Sequence, residues 1–353
     1  MFNALRLEIA RKRRHLTKKQ LAEMSGVAPL TLTRIEKGTT AEPAEETVAA
    51  LARTLGYPAT FFYLDDCEQP AEQAVSFRSL STMTARQRDA ALAGGAVAFE
   101  LDDYMTSRFD LPAPDVPDLR DEGPVEAAAA LRNYWGVGSK PIQHMLRLLE
   151  AKGVRVFSLA ENNKNVDAFS CWRDAKPYVF LNTFKSAERS RFDAAHELGH
   201  LVLHRHGEPS SRDVEKDADQ FASAFLIPYD DLIGHLPRSP SITQLIQAKE
   251  RWGVSVAALA RSVRDAGLLS DWAYRDLCKI ISARGYRTVE PNPRPREESV
   301  VWKKVFQSLW ADRVGKDTVA RELCIPTDEI EAFIGGLYGE PTAVACATGL
   351  RMV

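Results

Sequence analysis

No stretch of this chain stays apolar for long. The longest run, Ala90 to Phe99, falls well short of the ~18 residues that crossing a bilayer requires, so no membrane partner is expected. Cysteine is scarce. Cys67, Cys171, Cys278, Cys324 and Cys346 are odd in number, widely spaced and never arranged as C-x-x-C, which argues against a disulfide framework and against a thiolate zinc knuckle. Any metal then falls to histidine and carboxylate ligands. Net charge is nearly absent too, at -2 over 353 residues, and neither a low-complexity tract nor an internal repeat is visible. The N-terminus turns basic where a leader peptide would turn apolar, so the cytoplasm is the expected compartment. What is present is ordinary globular composition, 45% hydrophobic and 27% charged, in a length that predicts two or three domains.

The small net charge conceals an asymmetry. Residues 1–40 hold nine cations (Arg6, Arg11, Lys12, Arg13, Arg14, Lys18, Lys19, Arg34 and Lys37) against Glu8, Glu23 and Glu36, and residues 41–75 reverse the sign. A basic N-terminal surface suits a polyanion partner. The same region reads as short helices. Thr17 with Gln20 has the T-x-x-Q form of a capping box, Ser25-Gly26 marks a tight turn, and Pro29 suits the first position of a helix that Gly38 can end. A further helix buries Val48, Leu51, Ala52 and Leu55 and stops at Gly56-Tyr57-Pro58. A helix, a glycine turn and a second helix in a basic bundle is a helix-turn-helix pattern.

The run Leu16-Thr17-Lys18-Lys19-Gln20-Leu21-Ala22-Glu23-Met24-Ser25-Gly26-Val27, followed by Thr31-x-x-Arg34-Ile35-Glu36-Lys37-Gly38, resembles the Xre/Cro/cI family of DNA-binding domains. The resemblance implies a five-helix-type bundle that binds double-stranded DNA, with the helix Pro29–Lys37 in the major groove. Leu30, Thr31, Thr33 and Arg34 then lie nearest base edges, and Lys18, Gln20 and Lys37 are placed for phosphate.

Beyond the bundle, Arg86 to Met105 reads as one long helix and Leu111 to Pro117 as a connector. A helical segment Pro141–Lys152 precedes three short strands, Val154–Leu159, Ala168–Trp172 and Tyr178–Asn182. Helices follow over Ser186–His204 and Arg212–Leu226, and the chain stays helical in pattern past 236, broken at Pro291-Asn292-Pro293-Arg294-Pro295. The chemistry lies in His196-Glu197-Leu198-Gly199-His200. Histidines four apart project from one helix face and can take two corners of a zinc tetrahedron, while Glu197, rotated off that pair, can take a proton from a polarised water as it attacks a carbonyl. In the next helix Ala218, Phe221, Ala222 and Phe225 form the buried stripe, and Glu215 on its edge is the favoured third ligand. Asp219 is its rival and Asp217 points away. His206 falls ten residues after His196, but that longer motif needs a glycine where Leu203 stands. His204 continues the histidine face with its role open. Tyr178–Asn182, just before the active helix, is expected to be an edge strand that pairs with an extended peptide.

Residues 131–229 resemble the ImmA/IrrE-type zinc metallopeptidases. The match runs through Trp135-Gly136, Pro141-Ile142, Leu149-Glu150-Ala151-Lys152-Gly153-Val154, Arg191-Phe192-x-x-Ala195-His196-Glu197-Leu198-Gly199-His200-x-x-Leu203-His204 and Glu215-x-x-Ala218-x-x-Phe221-Ala222-x-x-Phe225-Leu226-Ile227-Pro228. Val75-Ser76-Phe77-Arg78-Ser79 and Trp252-Gly253-Val254-Ser255-Val256-Ala257-Ala258-Leu259 extend it. Asp193 departs from the small or hydroxyl residue usual before Ala-His, and is a candidate partner for an imidazole N–H. The resemblance implies an α+β, mostly helical protein: a DNA-binding domain at 1–66, a helical linker at 67–130, a zincin-like metallopeptidase domain with a small sheet at 131–235, and a helical region at 236–353. It implies one zinc ion per chain, held by His196, His200 and Glu215 with Glu197 catalytic. The expected protein is a cytoplasmic, homodimeric regulator that cleaves a repressor or antitoxin in a toxin–antitoxin or stress response. The rival reading is a non-catalytic repressor or antitoxin that uses the zinc fold for structure, sensing or partner binding.

Overall fold

The computed structural model describes residues 1–71, 83–159, 168–204 and 212–339. The N-terminal bundle comprises α1 (Ala4–Arg13), α2 (Lys18–Ser25), α3 (Pro29–Glu36) and α4 (Glu45–Leu55), closed by a 3-10 turn at Ala59–Tyr63. The expected capping box is formed, with the Thr17 hydroxyl accepting from Gln20 N–H and the Gln20 side chain accepting from Thr17 N–H. Gly26 ends α2 in the left-handed region at φ 71°, and Pro29 opens α3. Leu21, Leu32, Ile35, Leu51 and Leu55 meet in the bundle core.

A long helix, α5 (Ala85–Thr106), follows, then α6 (Pro124–Tyr134) and α7 (Met145–Ala151). The sheet consists of β1 (Arg155–Ser158), β2 (Phe169–Arg173) and β3 (Lys176–Leu181), with the chain then running through α8 (Ala187–Leu203), α9 (Arg212–Leu226) and α10 (Tyr229–His235). The remaining helices are α11 (Ile242–Trp252), α12 (Val256–Asp265), α13 (Asp271–Ala283), α14 (Val300–Ala311), α15 (Lys316–Glu322) and α16 (Thr327–Ile334). Asp174 and Ala175, both at positive φ, make the tight turn between β2 and β3. Phe169 lies opposite Phe180 across that antiparallel pair, and Phe157 lies opposite Phe180 across the parallel β1–β3 pair. The three rings stack through the sheet face, with centroids 4.4 and 5.7 Å apart.

Two expectations change here. The strand order is β1-β3-β2, so the strand at Tyr178–Asn182 is central, and both its edges are occupied by neighbouring strands. It cannot accept a peptide by strand addition. The basic N-terminal segment is likewise not an open cationic surface, because four of its nine cations (Arg6, Arg11, Arg13 and Arg14) are buried. Arg6 pairs with Glu100, Arg11 with Glu36 at 2.6 Å, Arg13 with Glu329 at 2.6 Å and Arg14 with Asp328 at 2.7 Å. Counting charge along the chain could not reveal these partners, three of which lie far off in sequence.

Helix α5 is the support shared by the bundle and the sheet. Its Ala- and Gly-rich stretch is buried, and α1 packs so closely that a Cβ on Gly94 would stand 2.9 Å from Arg13 Nη1. Further along, Phe99 packs edge-on against Tyr178, and buried Asp102 accepts from the Tyr178 hydroxyl at 2.7 Å and pairs with Arg155 at 2.9 Å. A second close approach joins α8 and α9. A Cβ on Gly199 would meet Phe221 Cδ1 at 3.0 Å and Ala218 Cα at 3.3 Å. Gly199→Val should therefore force these helices apart and cost about 1–3 kcal/mol of stability in denaturant unfolding, as overpacking does. Wild-type stability in that variant would show that the contact yields without strain.

Candidate metal centre and nucleic-acid interface

The Ser186 hydroxyl accepts from Arg189 N–H and starts α8, whose fourfold spacing then sets His196 and His200 on one face. The buried stripe of α9 is Ala218, Phe221, Ala222 and Phe225, as its periodicity predicts, and Glu215 is buried at the start of the same helix. Because Gly199 lets the two helices touch, Glu215 reaches the histidines. His196 Nε2 lies 3.1 Å from His200 Nε2 and 3.3 Å from Glu215 Oε2, and His200 Nε2 lies 3.6 Å from Glu215 Oε1. Zinc bonds of 2.0–2.1 Å in a tetrahedron set ligand atoms about 3.4 Å apart, so the donor set has the spacing of three tetrahedral corners. Among the described residues this is the one group of three such side chains close enough to hold a metal ion.

The electrostatics suit a cation. Burial by itself lowers the His196 pKa, but hydrogen bonds to Asp219 and Glu215 and the nearby Glu197 charge overcome it and push the imidazole up to about 10. The surrounding carboxylates thus favour positive charge at that point. Burial, together with His196 and His204, holds His200 well below the ordinary histidine range, which keeps a lone pair available. Asp219, the rival ligand, stands behind His196: its Oδ1 is 3.1 Å from Nδ1, the nitrogen facing away from Glu215, and its Oδ2 is 3.6 Å from Arg261 of α12. A carboxylate there orients the ring and fixes its tautomer. His204 Nδ1 lies 3.2 Å from His200 Nδ1, a position behind the second imidazole. Asp193 does not serve an imidazole. It pairs with Lys185 at 3.0 Å and Arg189 at 2.9 Å, since its place on α8 turns it toward the loop before the helix. His206 and the segment Val75–Ser79 lie outside the described residues.

Glu197 is buried, and the Ser170 hydroxyl donates to its Oε2 at 2.7 Å. Sequence reasoning passed over Ser170. The available signal was a small hydroxyl between Phe169 and Cys171 on a strand that must cover the histidine-bearing helix.

On the N-terminal bundle, Leu30, Thr31 and Arg34 are exposed on α3, and Lys37 is exposed just past its end. Thr33 is half-buried and its hydroxyl donates to Pro29 O at 2.8 Å. Arg34 has no side-chain partner among the described residues, whereas Lys18 pairs with Glu36 at 2.8 Å and the Gln20 side-chain oxygen serves the Thr17 cap. No described helix is long and apolar enough to cross a membrane.

Residues 7–62 match a helix-turn-helix family, and residues 149–264 match the M78 peptidase family, described as an IrrE N-terminal-like domain. None of the curated proteins matches the chain. The two matches fall where the bundle and the histidine-bearing helix stand in the fold, and the chain thereby joins an Xre/Cro-type helix-turn-helix domain to an ImmA/IrrE-type metallopeptidase-like domain.

Proposed function

We propose that this protein is a DNA-binding regulator whose central domain is a zinc-dependent endopeptidase acting on a protein partner such as a repressor or antitoxin. The observation that carries the reading is the convergence of His196, His200 and Glu215 beside a buried Glu197. A site built only to brace the fold has no use for a carboxylate in that position and favours a fourth protein ligand. Zinc bound there would supply Lewis-acid polarisation of the scissile carbonyl and of water. Asp219 and His204 orient the two imidazoles from behind. Glu197, steadied by Ser170, takes the proton of the attacking water and delivers it to the departing amine. With β3 enclosed, the outer edges of β1 and β2 have no further strand partner among the described residues, and that of β2 serves an extended substrate, because β2 carries Ser170 beside Glu197.

Elemental analysis and a cleavage assay separate holding the metal from using it. His196→Ala should lose the zinc, near one per chain in the wild type, whereas Glu197→Gln should retain it and lose cleavage of proteins encoded beside this one by about 10²-fold or more. Full zinc occupancy in Glu215→Ala would remove that residue from the ligand set. Identical processing of every partner by wild type and Glu197→Gln would favour the non-catalytic regulator.

DNA reading is placed on α3. Arg34 can bond bidentately to guanine, and Leu30 offers an apolar contact to a thymine methyl. In fluorescence anisotropy on the protein's own promoter, Arg34→Ala should weaken specific binding by about 1–3 kcal/mol more than binding to random duplex. Lys37→Ala should weaken both alike and flatten the salt dependence. Equal loss on both duplexes for Arg34→Ala would take it off the list of base readers.

A further inference from the structure

The last three helices repeat the first three at a constant displacement of 298 positions, as from His15 to Arg313. Helix α3 (Pro29–Glu36) maps onto α16 (Thr327–Ile334) end to end, and α2 (Lys18–Ser25) onto α15 (Lys316–Glu322) from its first residue. The turn between the first two helices of each unit corresponds hydrogen bond for hydrogen bond. His15 N–H to Lys12 O, Leu16 N–H to Arg11 O and Leu21 N–H to Thr17 O recur as Arg313 to Trp310, Val314 to Leu309 and Val319 to Gly315. Left-handed residues recur as well: His15 and Gly26, at φ 53° and 71°, become Arg313 and Cys324, at 59° and 55°. The buried positions Leu21, Ala22, Leu32 and Ile35 become Val319, Ala320, Ile330 and Phe333. Helix bounds, core positions and the geometry of the first turn thus agree between the two units, a structural repeat where the sequence shows none.

Its surface differs from that of the first. The positions matching Leu30, Thr31, Thr33 and Arg34 hold Asp328, Glu329, Glu331 and Ala332, with no cation among them. Asp328 pairs with Arg14. Glu329 is fully buried, where it pairs with Arg13 and accepts the Tyr57 hydroxyl at 2.6 Å. Arg13 also donates to Ala90 O on α5. On its other side α16 lies against β1, with the Phe333 ring edge-on to Phe157 at 6.1 Å.

We propose that residues 300–334 form a second helix-turn-helix unit that binds the first unit instead of DNA. Its reader helix has become an acidic clamp, seated on Arg13 and Arg14, that fixes the DNA-binding bundle against the metallopeptidase-like sheet. Only the nucleic-acid arm of the test below rests on the α3 reading. Hydrogen exchange on the full chain measures the clamp directly. The double variant Asp328→Asn with Glu329→Gln should speed exchange about tenfold or more at the end of α1 and around Tyr57, with α8 and α9 unchanged. If that variant fails to fold, the pair of Arg14 with the partly exposed Asp328 serves: Arg14→Asp should speed exchange at the same amides, and adding Asp328→Arg should restore it. Wild-type exchange at those amides in the folded variants would overturn the clamp. In anisotropy with a random-sequence duplex, Lys316→Ala should leave affinity within about twofold while Lys37→Ala lowers it. Equal losses from both would make the second unit a DNA binder and overturn the proposal. No loss from either Lys37→Ala or Arg34→Ala would count against α3 alone, with the clamp still decided by exchange.

Discussion

The candidate centre depends on one short contact, the place where Gly199 of α8 meets Ala218 and Phe221 of α9. Two histidines on a helix provide two ligands and no more. The third must arrive from another element, and the reach of a glutamate is short enough that the distance between helices decides whether it arrives. Gly199 sits between His196 and His200 in sequence, on the side of α8 that α9 covers. Its missing side chain therefore does for geometry what the two imidazoles do for chemistry. Once α9 is this close, Glu215 lies within 3.3 and 3.6 Å of the two imidazoles, and Asp219, one turn later, falls behind His196. The candidate ligand and the ring-orienting carboxylate thus come from a single helix face.

The larger architecture has a comparable support in α5. A helix built of alanine and glycine lets neighbours approach its backbone, and α1 uses that space to bring Arg13 over Gly94 while the sheet takes the stretch from Phe99 onward. Arginines placed this way leave water and must be matched by carboxylates. Glu100, Glu329 and Asp328 do so from α5 and α16. Stripping charge from the surface for this purpose costs the bundle some of its electrostatic pull on a polyanion. Arg34 and Lys37 remain exposed for that role.

Much of this was legible in the residues alone, and the division between what was and was not is physical. Local rules hold locally: the Thr17–Gln20 cap, the left-handed Gly26, the proline opening α3, and the fourfold histidine spacing all appear where their short-range causes place them. The buried stripe of α9 is equally a matter of periodicity. Statements that depended on distant partners fared differently. Arginine-rich sequence looks the same whether it faces water or Glu329, which lies 316 positions away from Arg13. Strand order is not written in any single strand, so the central place of β3 was hidden, and with it the loss of its edge. Asp193 is taken up for a nearer reason, by Lys185 in the preceding loop and Arg189 one turn before it on α8. Ser170 carried almost no signal, because one serine in a strand is unremarkable until Glu197 is found beneath it.

The repeat between the first and last helices was hidden for a related reason. A helix-turn-helix needs a left-handed turn residue and a handful of apolar positions, and many residues satisfy those demands. Cys324 stands where glycine is usual, at a backbone angle that costs a residue with a Cβ about 1–2 kcal/mol. Phe333 stands for Ile35 and Val319 for Leu21, so core chemistry persists without identity. The positions outside that core are under no such constraint, and where α3 has Leu30, Thr31 and Thr33, α16 has Asp328, Glu329 and Glu331. Carboxylates at these positions are repelled by phosphate but complement an arginine-bearing helix end, so the backbone proposed to carry α3 to a duplex seats α16 on Arg13 and Arg14 of α1. Function here follows the sign of a few side chains, and the fold they are mounted on decides only how far they project.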